Sequence, residues 1–178
     1  NPTLRLEISP VTTLDLSYEH ADHERFIDRG VPTLNGEPVE AFEDIVFGDT
    51  DTNLQTLRAD IYRANLSHEF SETSKGNLVI QYSDFQKLYK NYYASGYSGG
   101  DTFTADGYLD PTERNNLILS GNIVNEFQTG SVKHTLLVGA EIIDTENENY
   151  RYNTFFITTE DDNEVFNITR PINLSLIH

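Results

Sequence analysis

Tyr62-Arg63-Ala64-Asn65-Leu66-Ser67-His68-Glu69-Phe70 is the stretch whose reading decides the fold. Tyr62, Ala64, Leu66, His68 and Phe70 alternate with Arg63, Asn65, Ser67 and Glu69, so a β-strand would carry one set on each face. The run Ser71-Glu72-Thr73-Ser74-Lys75-Gly76 supplies a turn, after which Leu78, Ile80 and Tyr82 resume the alternation. The pattern is that of a β-hairpin.

The same rhythm extends in both directions. Leu4, Leu6 and Ile8 alternate with Arg5 and Glu7, Pro10 interrupts, and Leu14, Leu16 and Tyr18 alternate with Asp15, Ser17 and Glu19. Further on come Leu119, Gly121, Ile123 and Phe127, the turn Gln128-Thr129-Gly130-Ser131, then His134, Leu136, Val138, Ala140 and Ile142. The reading is six strands in three hairpins, in one domain, with no repeat beyond the hairpins. Strand character persists through Asp84 to Tyr93 and Asp144 to Tyr152, where the residues turn polar.

Connection lengths carry further information. The turns inside the hairpins are short, whereas the intervening segments are long: about Arg25 to Thr56, about Ala94 to Glu113, and about Tyr150 to the end. Compact soluble domains seldom hold structureless loops beyond roughly 12–15 residues. Outer-membrane barrels alternate short periplasmic turns with long extracellular loops, and their strands place polar residues toward the lumen. A soluble sandwich gives the same alternation with its apolar face inward, so periodicity alone leaves both architectures open.

Composition narrows the function classes. Twelve Lys and Arg against 29 Asp and Glu give a net charge of −17, which argues against a nucleic-acid surface and suits capture of cations. The absence of low-complexity tracts sets the chain apart from disordered polyanions. With no cysteine, disulfides, thiolate metal sites and thiol nucleophiles are excluded. No segment approaches the roughly 20 apolar residues of a membrane-spanning helix, but barrel strands need only about 10 alternating residues. The chain opens at Asn1 without Met or an export leader, and the expectation is an internal or mature segment.

Several stretches, in order, resemble one family. Asp28-Arg29-Gly30-Val31-Pro32-Thr33-Leu34-Asn35-Gly36-Glu37-Pro38, followed by Phe47-Gly48-Asp49, resembles the first long loop after a barrel hairpin in TonB-dependent siderophore receptors. Leu66-Ser67-His68-Glu69-Phe70 is similar to that family's returning strand. His134-Thr135-Leu136-Leu137-Val138-Gly139-Ala140-Glu141 is similar to its recurrent strand after a periplasmic turn. The resemblance covers the chain to about Tyr152. It implies a partial barrel domain over residues 1–178 of an outer-membrane receptor that takes up ferric siderophores. The family's plug domain, TonB box and terminal aromatic strand have no counterpart here, so contact with the TonB complex is expected through a missing plug region.

Tyr89, Tyr92, Tyr93, Tyr97, Phe103 and Tyr108 gather around Gly96-Tyr97-Ser98-Gly99-Gly100. Aromatic faces and phenol hydroxyls suit flat polar chelators, and Arg29, fixed by Gly30 and Pro32, can pair with an anionic ligand. The expected ligand contacts are therefore Arg29, Tyr92, Tyr93, Tyr97, Phe103 and Tyr108. Against this, Tyr82 and Tyr89 fit an aromatic girdle, and Arg29 fits a structural ion pair in an acidic loop.

Other constellations give no chemistry. Asp49, Asp51 and Asn53 echo a calcium loop, but Leu54 occupies the position that needs Gly and Asp60 replaces the closing Glu. Glu160, Asp161, Asp162 and Glu164 read as a solvated face. His20 and His23 would point to opposite faces of a strand, while His68 and His134 fit the interface near the short turns. His178 has no partner in the pattern. Asn65, Asn167 and Asn173 begin glycosylation-type triplets without meaning in a bacterial chain. No serine has a nucleophile setting, so the chain is expected not to be an enzyme, with no metal site and no covalently bound cofactor.

The expectation is an all-β, antiparallel segment of a transmembrane β-barrel with long extracellular loops, in the bacterial outer membrane. Leu14, Leu16, Leu66, Ile80, Leu119, Ile123, Leu136 and Val138 would face outer-membrane lipid. The rivals are a soluble β-sandwich that binds carbohydrate and a passive porin-like channel.

Overall fold

The computed structural model describes residues 1–49 and 51–168. His178 and the triplet beginning at Asn173 lie outside them, as does Thr169 of the triplet at Asn167. Among the described residues there is no α-helix, and a single 3₁₀ turn spans Glu40–Phe42. No helix there is long and apolar enough to cross a membrane, which bears on helices alone.

The main strands are β1 (Thr3–Ser9), β2 (Thr12–Phe26), β5 (Leu54–Ser71), β6 (Ser74–Gly96), β7 (Thr102–Thr129) and β8 (Val132–Asn149). Short pieces complete the set: β3 (Thr33–Leu34), β4 (Glu37–Pro38), β9 (Tyr152–Asn153) and β10 (Asn163–Asn167). The sheet runs β1-β2-β5-β6-β7, and β8, β9 and β10 each pair with β7. It is open along β1 and β8 among the described residues. The six strands in three hairpins read from the alternation are these main strands, joined by the two-residue turns Pro10-Val11, Glu72-Thr73 and Gly130-Ser131.

One expectation is corrected. The segment from about Ala94 to Glu113 is mostly strand, and only residues 97–101 connect β6 to β7. Gly107 and Pro111 look like strand breakers in sequence, yet each is accommodated. A Cβ on Gly107 would lie 2.6 Å from the Asn91 carbonyl oxygen, so the strands approach there only because the side chain is missing. Pro111 lends its carbonyl to the Tyr150 amide at 3.2 Å. The long connection after Phe26 is real and contains its own hairpin, β3-β4, turned by Asn35 (φ 53°) and Gly36 (φ 86°).

The chain divides into two compact units. The first comprises Asn1–Asp22, Arg58–Gln86 and Glu113–Glu148. In β1-β2, Leu4 faces Leu16 and Leu6 faces Leu14, so the apolar residues share a face, and Arg5 reaches Asp15 on the other. Leu66, Ile80, Leu119, Ile123, Leu136 and Val138 are all exposed, Val138 by 60%. Ala59 is the one buried hydrophobic residue of this unit among those described. A sandwich would have covered these side chains with a second sheet, and the other sheet described is only β3-β4 in the second unit.

The opposite positions are mostly polar, with Ile118, Val124, Leu137 and Ile143 as exceptions. Arg63 donates to Gln81, Asn116 to Ser83, Thr145 to Asn116 and Arg114 to Asn147. Aromatic residues collect at two levels of the apolar face. Tyr18, Tyr62 and Tyr82 form one stacked row, with centroid separations of 4.9 and 6.5 Å. Near the hairpin turns, His68 meets Phe70 at 4.7 Å and His134 stacks on Phe127 at 5.0 Å. His68 also hydrogen-bonds Thr12 through Nδ1 at 2.7 Å.

The second unit comprises, among the described residues, His23–Leu57, Lys87–Thr112 and residues 149–168. Its core is Phe47, Tyr92, Phe103, Ala105 and Phe156, bordered by Val31, Phe42, Ile45 and Phe166. Phe47 meets Phe103 edge to face at 4.9 Å. The loop bearing Phe47 is held by Asp49, whose carboxylate accepts from the Asp51 amide (3.1 Å) and the Thr52 hydroxyl (2.7 Å). Asn53, only 1% exposed, donates to the carbonyls of Ile27 (3.2 Å) and Tyr92 (2.8 Å) and accepts from the Tyr92 amide (2.8 Å). The residues that echoed a calcium loop therefore shape and anchor a connection.

Candidate functional site

Period-two geometry divides the aromatic residues of the second unit between two faces. Tyr92, Phe103 and Ala105 turn toward the core, so Tyr89, Asn91 and Tyr93 on β6 and Asp106, Tyr108 and Asp110 on β7 turn the other way. Around these converge Arg29 from the connection after β2 and Arg151 from the segment before β9.

Tyr108 is the hub. Arg29 lies 5.7 Å from its ring centroid and Arg151 lies 4.3 Å from it. Arg29 also sits 4.8 Å from the Tyr93 ring, and its Nη1 donates to the Tyr108 hydroxyl at 2.6 Å and to Asn91 Oδ1 at 3.1 Å. Tyr89 stacks on Tyr108 with centroids 6.0 Å apart. Asn91 is buried and gives its amide to the Tyr108 carbonyl, which fixes its oxygen toward Arg29.

The carboxylates here are already engaged. Asp110 takes a two-pronged contact from Arg151, at 2.8 and 2.5 Å, which holds its pKa below the usual carboxylate range and raises that of the guanidinium. Asp106 accepts from the Gly107 amide (2.6 Å) and the Tyr93 hydroxyl (3.2 Å). Burial first, and then Asp106, raises the Tyr93 phenol. Arg29 has no carboxylate partner among the described residues, whose ion pairs are Arg5–Asp15, His20–Asp60, Arg58–Asp60 and Arg151–Asp110. Its sequence alternative as a structural ion pair is thereby corrected: amide and phenol oxygens hold it.

The Arg151–Asp110 pair carries a pH expectation. Because Asp110 titrates below its ordinary 3.8 when folded, the pair's contribution is complete above that value and disappears as pH falls through the depressed one. The protection factors of the Tyr152 and Thr154 amides, corrected for intrinsic exchange, are expected to fall only below pH 3.8. A fall in protection between neutrality and that point would contradict the assignment.

Of the residues expected to touch ligand, Arg29, Tyr93 and Tyr108 are brought together. Tyr92 and Phe103, each 3% exposed, pack in the core, where burial pushes the Tyr92 phenol up to about 12. Those two expectations are corrected, since their rings are spent on packing. Tyr97 lies against the core at Phe42, 5.3 Å away, and donates to the Gly100 carbonyl. Tyr89 joins the cluster instead of a girdle. Arg151, Asn91 and Asp110 were missed. An arginine between two tyrosines at 150–152 was the available signal for Arg151.

His20 and His23 both lie within β2, where His20 Nδ1 contacts Asp60 at 2.8 Å. Among the described residues, no group of three or more His, Cys, Asp or Glu is arranged to hold a metal ion.

No protein-family model matches the chain. No curated protein matches it in sequence at a significant level. Among solved structures, the crystal structure of BauA, the ferric preacinetobactin receptor from Acinetobacter baumannii, matches 92% of this chain with a TM-score of 0.71 and 16% identity. The chain spans 25% of that receptor's length. The likeness is one of fold: the antiparallel meander described above is similar to about a quarter of that receptor.

Proposed function

We propose that the chain is part of the barrel wall of a bacterial outer-membrane receptor for TonB-dependent uptake of ferric siderophores. The observation that carries this reading is the first unit's sheet face. Its large apolar side chains are exposed, with hydrogen-bonded polar residues at the alternate positions. In water such a face drives association; against lipid it is the ordinary exterior of a barrel. The two aromatic levels on that face suit the two membrane interfaces. The fold likeness to a ferric siderophore receptor adds support. The ligand would meet the Arg29, Tyr93 and Tyr108 cluster, and coupling to the TonB complex would run through a plug region outside these strands.

Uptake of radiolabelled ferric siderophores by iron-starved cells carrying the full gene product tests the proposal. Saturable uptake that stops when the proton-motive force is collapsed is the expected result. Unsaturable entry that survives the uncoupler would replace it with a passive channel. Recovery of the protein from the soluble fraction would overturn the membrane assignment.

A further inference from the structure

We infer that the Arg29 cluster selects its ligand by charge, accepting a polyanionic chelate with aromatic rings, of the ferric tris-catecholate class, over neutral tris-hydroxamate chelates. This inference rests on the receptor reading and sharpens its substrate class.

The argument begins with the chain's own charge. At −17 this chain repels anions on average, so an anionic ligand needs a local exception. Arg29, Arg151 and Lys87 stand there against two carboxylates, Asp110, paired with Arg151, and Asp106, bonded by the Tyr93 hydroxyl, so the cluster keeps a modest positive excess. Arg151 is paired with Asp110, whereas Arg29 forms no ion pair with a described carboxylate.

Arg29 is also poised. Both of its hydrogen bonds to the protein leave from Nη1, to neutral acceptors, so Nε and Nη2 keep donors for an incoming oxygen anion. The guanidinium sits between the rings of Tyr93 and Tyr108 and is tethered by two hydrogen bonds from Nη1, so less freedom remains to be lost on binding. Tyr93 and Tyr108 are covered by the guanidiniums, whereas Tyr89, stacked on Tyr108 on one side, is the ring of the cluster without a cation over it among the described residues and can meet a planar ligand ring. Iron bound by three doubly deprotonated catechols is a trianion edged with aromatic rings. Iron bound by three hydroxamates is neutral and has no such rings.

The test uses outer-membrane vesicles containing the full gene product and two redox-inert probes, the gallium complexes of catecholate and of acetohydroxamate. Equilibrium dialysis measures binding to the wild type, Arg29→Gln and Arg29→Lys. The catecholate complex is expected to bind the wild type more tightly and to weaken with added salt. Arg29→Gln should cost it about tenfold or more, and Arg29→Lys should recover part of the loss. The inference is overturned if Arg29→Gln leaves catecholate binding unchanged, weakens both complexes equally, or if the neutral complex binds as tightly as the trianion. Charge-selective binding without energised uptake would retain this inference and remove the receptor reading. Energised uptake of neutral chelates alone would do the reverse.

Discussion

Replacing Asn53 with alanine is expected to destabilise the second unit by about 3 kcal/mol or more, as large an effect as any core truncation there. The side-chain amide stands in for a peptide group beside β6, pairing with both the amide and the carbonyl of Tyr92 and reaching the Ile27 carbonyl. Alanine leaves three polar groups without partners, and each buried orphan costs about 1–3 kcal/mol. Water has little room to replace the amide, because Tyr92 and Phe47 pack tightly nearby and a Cβ on Gly48 would already lie 2.3 Å from Asn53 Nδ2. Asn53→Asp should be at least as damaging at neutral pH, since a carboxylate would face two carbonyl oxygens. Denaturant unfolding followed by near-ultraviolet dichroism of the tyrosines measures the loss. A change below about 0.5 kcal/mol, the range of an ordinary surface substitution, would show that the three hydrogen bonds are dispensable.

The second large effect separates lipid from water as the medium around the first unit. Leu119 lies in β7, 40% exposed on the apolar face. If that face meets the bilayer near its middle, Leu119→Arg costs about 2–4 kcal/mol. In water the same substitution at an exposed strand position stays within about 0.5 kcal/mol. Arginine at Asn122, on the opposite face, is the control and is expected to be tolerated, because Glu69, Lys75 and Asn77 line the same surface. Equilibrium unfolding of the full gene product from lipid vesicles distinguishes the cases. A neutral Leu119→Arg would remove the lipid assignment, whatever the fold likeness.

The strands were legible wherever apolar and polar residues alternated. Leu66 to Phe70, Leu78 to Tyr82 and His134 to Ile142 fall within β5, β6 and β8, and the polar continuations at Asp84 to Tyr93 and Asp144 onward were read as strand. The first third of β7 was not. Its core-facing positions Phe103, Ala105 and Gly107 shrink along the strand, because the backbone of Asn91 and the ring of Tyr92 press on Gly107. Sequence shows the glycine but not the neighbour that demands it. The candidate site was half legible for a related reason. Tyr92 and Tyr93 are adjacent and chemically identical, and only the covering of one sheet face by Phe47 and Phe156 sends the first into the core and leaves the second beside Arg29. Phe47 and Phe156 lie 45 and 64 residues away in sequence from Tyr92 and no local pattern links them to it.

The three two-residue turns also divide the chain into a part that is frozen and a part that is free to diverge. An inserted residue at Glu72-Thr73 must be absorbed in the turn as a longer loop or a bulge, because a slip of β5 against β6 by one residue would exchange every outward side chain for an inward one. An insertion at an exposed position of the connection between β2 and β5, away from Phe47 and Asn53, adds mainly closure entropy, about 0.6 kcal/mol for each doubling of loop length. Arg29 sits in that permissive connection, while Tyr93 and Tyr108 sit on strands. Descendants of this chain can therefore trade the cation for another ligand-reading group while keeping the aromatic platform beneath it.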